Sequence, residues 1–271
     1  MVDRRDAEPA ALLKGAETID LQEEGSHGVL LLHGFGDTPQ TLSLLARRLH
    51  KGGYSVLVPL LPGHGRTMEA FTRSRADEWI DAARSSLLEI RDRSNAVSVV
   101  GLSMGGALAV LLAAEFGDIS ALILIAPYLG MPRLLRIAAA THWLWGGLAG
   151  ELNGKSPRSI HDPIEREKNL AYGAVTGRAL FELSRVMNRA RKALPAVTAP
   201  TLVVQSREDP RISPAVAEFA LKKLGAKEKR LVWTEGAGHI ITVDYGRERV
   251  FSEVEKWLRA HESRGATAAT K

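Results

Sequence analysis

Val99-Val100-Gly101-Leu102-Ser103-Met104-Gly105-Gly106 joins an apolar β-branched run to an Ala/Leu-rich stretch of helical length. The pattern is G-x-S-x-G between a strand and a helix. A turn this sharp holds its central serine in a strained backbone conformation, so that only glycine fits two residues to either side. The hydroxyl then projects beyond the end of the strand at a helix N-terminus, where free N–H groups and the helix dipole favour developing negative charge. Ser103 is therefore expected to be a nucleophile.

Outward from this turn, short apolar runs alternate with amphipathic stretches. Strands are expected at 29–32, 55–59, 97–101, 121–126, 200–205 and 229–234. Helices are expected at 41–51, 76–91, 103–116, 214–224 and 246–261. Apolar strands alternating with helices imply a mostly parallel sheet covered on both faces, a doubly wound α/β architecture. Together with the elbow at Ser103 this points to the α/β-hydrolase fold. The alternation breaks between 128 and 195, where apolar residues fall at helical spacing in pieces separated by Gly and Pro. That segment reads as a helical cap over the carboxyl ends of the strands. The expected domains are a core of 1–127 and 196–262, a cap of 128–195 and a disordered tail at 263–271.

The rest of a nucleophilic site can be placed on this frame. Leu31-Leu32-His33-Gly34-Phe35-Gly36 closes the first buried strand. In such a fold one oxyanion-binding N–H comes from the residue after the nucleophile, here Met104, and one from this loop, here Phe35. His33, directly after a buried strand, reads as a residue that bonds loop backbone and shapes the turn. The base must follow the last strand, and His239 in Glu235-Gly236-Ala237-Gly238-His239 is placed there. His27 precedes the core, His50 and His261 fall at exposed helix ends, His64 lies in a supporting loop, and His142 and His161 lie in the cap. After the 200–205 strand, Glu208 and Asp209 both qualify as the acid. Asp209 is favoured, since the Pro-Arg-Ile-Ser-Pro that follows sets it at the turn into the next helix. The order Ser103, Asp209, His239 is the one this fold uses.

These stretches resemble bacterial carboxylesterases and monoacylglycerol lipases with a small lid. The matching motifs are Gly28 to Pro39, Leu61-Pro62-Gly63-His64-Gly65, Asp77-Glu78-Trp79, Gly101 to Gly106 and Ala237 to Asp244. The resemblance implies a small helical cap inserted after the sixth core strand. It also implies hydrolysis of short- or medium-chain acyl esters or monoacylglycerols, with no cofactor. A thioesterase, amidase or C–C hydrolase would use the same triad. A non-catalytic binding relative is disfavoured, because every triad and oxyanion position is filled.

The likeness fades in the cap, which selects substrate. Trp143, Leu144, Trp145 and Met187 are candidate substrate contacts, or else the cap's own core. Of the formal net charge of +5, much resides in 128–195, with eleven Lys/Arg against five Asp/Glu. That surplus reads as a solvated helix face or as a surface that draws the cap transiently to anionic micelles or membranes. No nucleic-acid motif accompanies the charge, so no nucleic-acid partner is expected. The 271-residue chain has no cysteine, which removes thiolate metal sites and disulfides, and no His pair has metal-ligand spacing. The start, Met1 to Pro9, lacks the apolar core of a secretory signal, and no apolar run is long enough for stable membrane insertion. A cytoplasmic monomer or dimer is expected.

Overall fold

The computed structural model describes residues 11–149, 151–153 and 159–262. The expected tail at 263–271 and the charged start lie outside the described residues. In chain order the first half runs β1 (Ile19–Leu21), β2 (Gly28–Leu32), α1 (Ser43–Lys51), β3 (Ser55–Val58), α2 (Met68–Arg73), α3 (Ala76–Asp92), β4 (Val97–Leu102), α4 (Met104–Glu115) and β5 (Leu122–Ile125). There follow α5 (Arg133–Ala140), α6 (His142–Ala149), β6 (Glu151–Asn153), α7 (Pro163–Lys168), β7 (Ala174–Thr176) and α8 (Gly177–Ala193). The chain then closes with β8 (Thr201–Ser206), α9 (Pro214–Lys223), β9 (Lys229–Thr234) and α10 (Arg247–His261).

Among the described residues the main sheet has seven strands in the order β1-β3-β2-β4-β5-β8-β9. All pairs are parallel except β1 with β3. The strands β2, β3, β4, β5 and β8 are buried along their whole length, as apolar parallel strands covered on both faces must be. One face is closed by α1 and α10 through Leu45, Leu49, Val254 and Leu258. The other is closed by α3, α4 and α9 through Trp79, Leu108, Leu112 and Ala217. From β2 the chain moves outward to β3, then returns to the other side of β2 for β4. The order reverses between β2 and β4, and open α/β sheets bind ligands at that crevice, beyond the strands' carboxyl ends. The residues directly after β2 and β4 are His33-Gly34-Phe35 and Ser103.

Among the described residues five strands of the main sheet precede the insertion, with the three-residue β1 ahead of β2. The helix α8, expected in the cap, packs against α4. Its Ala179, Leu180, Leu183, Val186 and Ala190 join the core cluster that contains Leu108, Leu112 and Ala113 of α4. The cause lies in α4, whose Met104–Glu115 segment is apolar on every side; such a helix must be covered all round. Arg185 and Arg189 of α8 also pair with Asp77 at the start of α3, at 3.0 and 2.6 Å. Part of the basic surplus is thus spent in joining α8 to the core. We propose that the cap proper is 128–176, with α8 as the platform on which α5 and α6 rest. The short antiparallel pair β6–β7 escaped sequence reading because three-residue strands leave no periodicity.

Candidate active site

At the end of β4 the chain turns through Ser103, whose φ of 56° and ψ of −116° lie outside the ordinary regions for an L-residue. The surroundings force this conformation. Ser103 N–H donates to the Ile125 carbonyl at 2.9 Å, and its own carbonyl accepts from Tyr128 N–H at 2.9 Å and Gly106 N–H at 2.9 Å. A second positive φ, 43° at Ala126, bends the chain after β5 so that Tyr128 can reach back. A Cβ at Gly101 would stand 2.2 Å from the Gly105 carbonyl oxygen, and one at Gly105 would stand 2.0 Å from the Leu32 carbonyl oxygen. Both glycines flanking the serine are therefore required by the close approach of α4 to β4 and β2.

The structure brings Ser103, His239 and Asp209 together. His239 Nε2 is 2.9 Å from Ser103 Oγ, and His239 Nδ1 is 2.8 Å from Asp209 Oδ2. Asp209 follows β8 and His239 follows β9, so three strand ends deliver the three groups. Asp209 Oδ1 accepts the N–H groups of Arg211 at 2.7 Å and Ile212 at 3.0 Å. Glu208, the other candidate acid, instead accepts the Gly236 N–H at 2.7 Å. The Gly34 Cβ position lies 3.4 Å from Ser103 Cβ, so the loop after β2 runs against the serine. Neither Phe35 N–H nor Met104 N–H donates to a protein acceptor among the described residues. Both are free to receive an oxyanion.

A family model described as Hydrolase_4 ("Serine aminopeptidase, S33") matches residues 24–245. The chain belongs to this family. It is 30% identical over 260 residues to the thermostable monoacylglycerol lipase of Bacillus sp. (strain H-257), covering 94% of this chain and 99% of the lipase. It is 25% identical over 240 residues to a carboxylesterase of Bacillus subtilis (strain 168), covering 86% and 93% of the two chains. Among solved structures, a metagenome-derived lipolytic enzyme superposes with a TM-score of 0.85 at 31% identity, over 93% of this chain and 100% of that one. The chain is thus an α/β-hydrolase of the carboxylesterase and monoacylglycerol lipase type.

The electrostatics of this hydrolase explain how the three groups are held. Burial pushes the Asp209 carboxyl up, but the facing His239, its hydrogen bond, and the N–H groups of Ile212 and Arg211 outweigh it. The net effect holds Asp209 below the ordinary aspartate value. An ionised Asp209 can only accept, so His239 Nδ1 carries the proton and Nε2 presents its lone pair to the Ser103 hydroxyl. Gln205, at the end of β8, donates from Nε2 to the same Asp209 Oδ2 at 2.9 Å. Sequence reading missed it, since a buried glutamine in a strand carries no motif.

His33 is a fully buried imidazole. Its Nε2 accepts from Leu61 N–H at 3.1 Å, which leaves Nδ1–H to donate to the Gly34 carbonyl at 2.9 Å. Burial lowers its pKa to about 4, so it stays neutral and fixes the turn before Phe35. An aromatic cluster lies below that turn. The Phe35 ring is 4.8 Å from Phe71 and 5.9 Å from Trp79 between centroids, and His64 lies 5.0 Å from His33. From the cap, Tyr172 stacks on Phe71, donates its N–H to the Gly36 carbonyl at 3.1 Å and its hydroxyl to the Gly63 carbonyl at 2.9 Å. His261, expected on an exposed helix end, is buried and bonds the Trp257 carbonyl, because α10 lies flat on the sheet.

The four cap residues fare differently. Trp143 and Leu144 are 73% and 58% exposed. Trp145 packs over Gly177 and donates its indole N–H to the Ala138 carbonyl at 3.0 Å. Met187 is buried on α8. The reason is the α8 platform: Met187 is part of it, Trp145 lies against it at Gly177, and Trp143 and Leu144 are left exposed. Among the described residues, no group of three or more His, Cys, Asp or Glu side chains could hold a metal ion, and no helix is long and apolar enough to cross a membrane.

Asp37, in the loop after β2, is a buried carboxyl that accepts Thr38 N–H at 2.9 Å. Burial raises its pKa to about 7 from an ordinary 3.8. The folded state therefore binds more protons than the unfolded chain between those values, and this group's contribution to stability falls as pH rises through about 7. Asp37→Asn keeps the acceptor and removes the titration. Relative to wild type, the variant should gain about 3 kcal/mol between pH 5 and pH 8, read by urea unfolding at both values. A stability difference that does not change with pH would refute this.

Proposed function

We propose that this chain hydrolyses carboxylic esters of short- or medium-chain acids, monoacylglycerols included, through an acyl-enzyme on Ser103. His239 takes the Ser103 proton as Oγ attacks the ester carbonyl carbon. Asp209 holds the imidazole in the tautomer that makes this possible and stabilises the imidazolium. The carbonyl oxygen becomes an oxyanion between the N–H groups of Phe35 and Met104, an interaction worth several kcal/mol in a dry site. Collapse of the tetrahedral species expels the alcohol, which takes its proton from His239 Nε2. Water then attacks the acyl-enzyme with His239 again as base, releasing the acid and restoring Ser103. The observation that carries this reading is the continuous chain Ser103 Oγ–His239–Asp209, with contacts of 2.9 and 2.8 Å, at a strained strand–helix turn.

The cap supports the lipid part of the proposal. Leu134, Ile137, Trp143 and Leu144 are exposed on α5 and α6, with the exposed Arg133 and Arg136 interleaved on α5. Apolar side chains rimmed by cations suit transient contact with an anionic lipid interface.

The deciding experiment is a panel of p-nitrophenyl esters from acetate to palmitate, monoacylglycerols below and above their aggregation concentrations, and p-nitroanilides, each beside Ser103→Ala. Wild type should cleave esters and not anilides, and Ser103→Ala should lose at least ~10³-fold in kcat. Cleavage of anilides in preference to esters would replace the ester reading with an amidase one. Equal rates in the two proteins would remove Ser103 from the chemistry.

A further inference from the structure

Asp244 is fully buried. A carboxylate so placed loses its hydration and must be satisfied by hydrogen-bond donors. Here all of them are backbone N–H groups. Oδ2 accepts from Gly238 at 2.7 Å and from His161 at 2.8 Å; Oδ1 accepts from Asp162 at 2.9 Å and from Tyr245 at 2.8 Å.

The identity of those donors matters more than their number. Gly238 immediately precedes His239. His161 and Asp162 belong to the limb of the cap that returns toward the core. One carboxylate oxygen thus binds the loop of the catalytic base and the cap at once. The same two segments meet at further points. Ile240 N–H donates to the Ser159 carbonyl at 2.9 Å, and His161 Nδ1–H donates to the Gly236 carbonyl at 3.0 Å. The glycine-rich stretch Gly236-Ala237-Gly238 has little rigidity of its own, so its shape depends on what it is tied to.

We propose that Asp244 is a positioning residue for His239, and that it makes the placement of the base conditional on the seating of the cap limb 159–162. This rests on the assignment of His239 as the base. The geometry gives it a directional consequence. The two acceptor oxygens of a carboxylate meet two N–H groups each, whereas the amide of Asn would turn an NH₂ toward one of those pairs. Asp244→Asn therefore keeps size and shape and breaks one side of the clamp: either the side shared by the base loop and His161, or the side of Asp162 and Tyr245.

The test uses the full chain. In Asp244→Asn, kcat on p-nitrophenyl butyrate should fall ~10²-fold, the cost of a base displaced by about 1 Å, while KM stays close to wild type. The downfield proton signal of His239 Nδ1–H, which reports its bond to Asp209 whether or not the enzyme turns over, should shift or broaden. In wild type, the amides of Gly238, His161 and Asp162 should exchange with solvent hydrogen through one shared opening. A variant that melts earlier but retains wild-type kcat and the same imidazole signal would overturn the proposal. So would a Gly238 amide that stays protected while those of His161 and Asp162 exchange freely, and this measurement decides the matter even if Asp244→Asn fails to fold. Ser103→Ala separates the two readings: loss of ester cleavage there with normal kcat in Asp244→Asn removes the clamp alone, whereas retained cleavage removes the catalytic assignment while the exchange and proton measurements still judge the clamp.

Discussion

Asp209→Asn is expected to lower kcat by ~10⁴-fold with little change in fold or KM. The direction follows from the hydrogen bonds that surround the group. Asp209 Oδ1 accepts two backbone N–H groups, from Arg211 and Ile212. In the variant the amide oxygen must stay on that side, because an NH₂ there would face two donors. The NH₂ is then turned toward His239 Nδ1, and the imidazole can meet it only by presenting a lone pair. Its proton moves to Nε2 and points at Ser103 Oγ, so His239 can no longer accept the serine proton. Gln205 has to turn with the exchange. Its Nε2 donates to Asp209 Oδ2 at 2.9 Å in the native site, and rotating its amide sets Oε1, which has no partner in the native site, against the introduced NH₂. Single-turnover kinetics with p-nitrophenyl acetate would show a slowed acylation phase. A loss below about tenfold would mean that Asp209 is not the group that sets the tautomer, and Glu208 would have to be reconsidered. The stability cost should be small by comparison, since every backbone contact of Oδ1 survives.

The parts of this site that could be read from sequence are those where local chemistry leaves one solution. Gly101 and Gly105 around Ser103 belong to that class, because no other residue fits the turn. So does the alternation of apolar strands and helices, which a parallel sheet needs at every step. Asp209 and His239 were chosen by position, since each lies in the loop after a strand. Long-range partners left no such trace. The Asp244 and Tyr172 side chains bond backbone groups up to 109 residues away, and a side chain bonding a distant main chain imposes no spacing on the sequence. The cap shows the same limit from another side. The pattern of α8 announces a helix with one apolar face but not which surface it covers, and only the all-round apolar α4 requires that partner. For Trp143 and Leu144, large apolar residues read equally as core and as surface, and here they are surface.

Gly105→Ala is expected to cost about 3 kcal/mol or more and to leave little folded protein. The added Cβ would sit 2.0 Å from the Leu32 carbonyl oxygen and 2.7 Å from that of His33. Both obstacles are backbone at the end of β2 and at the start of the loop that follows it, so no side-chain rotation can relieve them. The start of α4 would have to move away from β2, and that movement separates Met104 N–H from Phe35 N–H, which stand on the two elements being forced apart. Ala is a better helix former than Gly by about 1 kcal/mol, yet this gain is smaller than the overlap it meets. Gly117→Ala provides the contrast, since nothing lies within 4 Å of the Cβ position there; it should leave stability nearly unchanged. Urea unfolding of the two variants beside wild type measures the difference. If Gly105→Ala unfolds with the midpoint and slope of wild type, the contact between α4 and β2 is looser than 2.0 Å implies. The requirement for glycine after the nucleophile would then have to come from substrate binding rather than from packing. If instead the variant folds but loses both stability and kcat, the elbow glycine serves two ends at once: it lets helix and strand meet, and by that meeting it sets the spacing of the Phe35 and Met104 N–H groups.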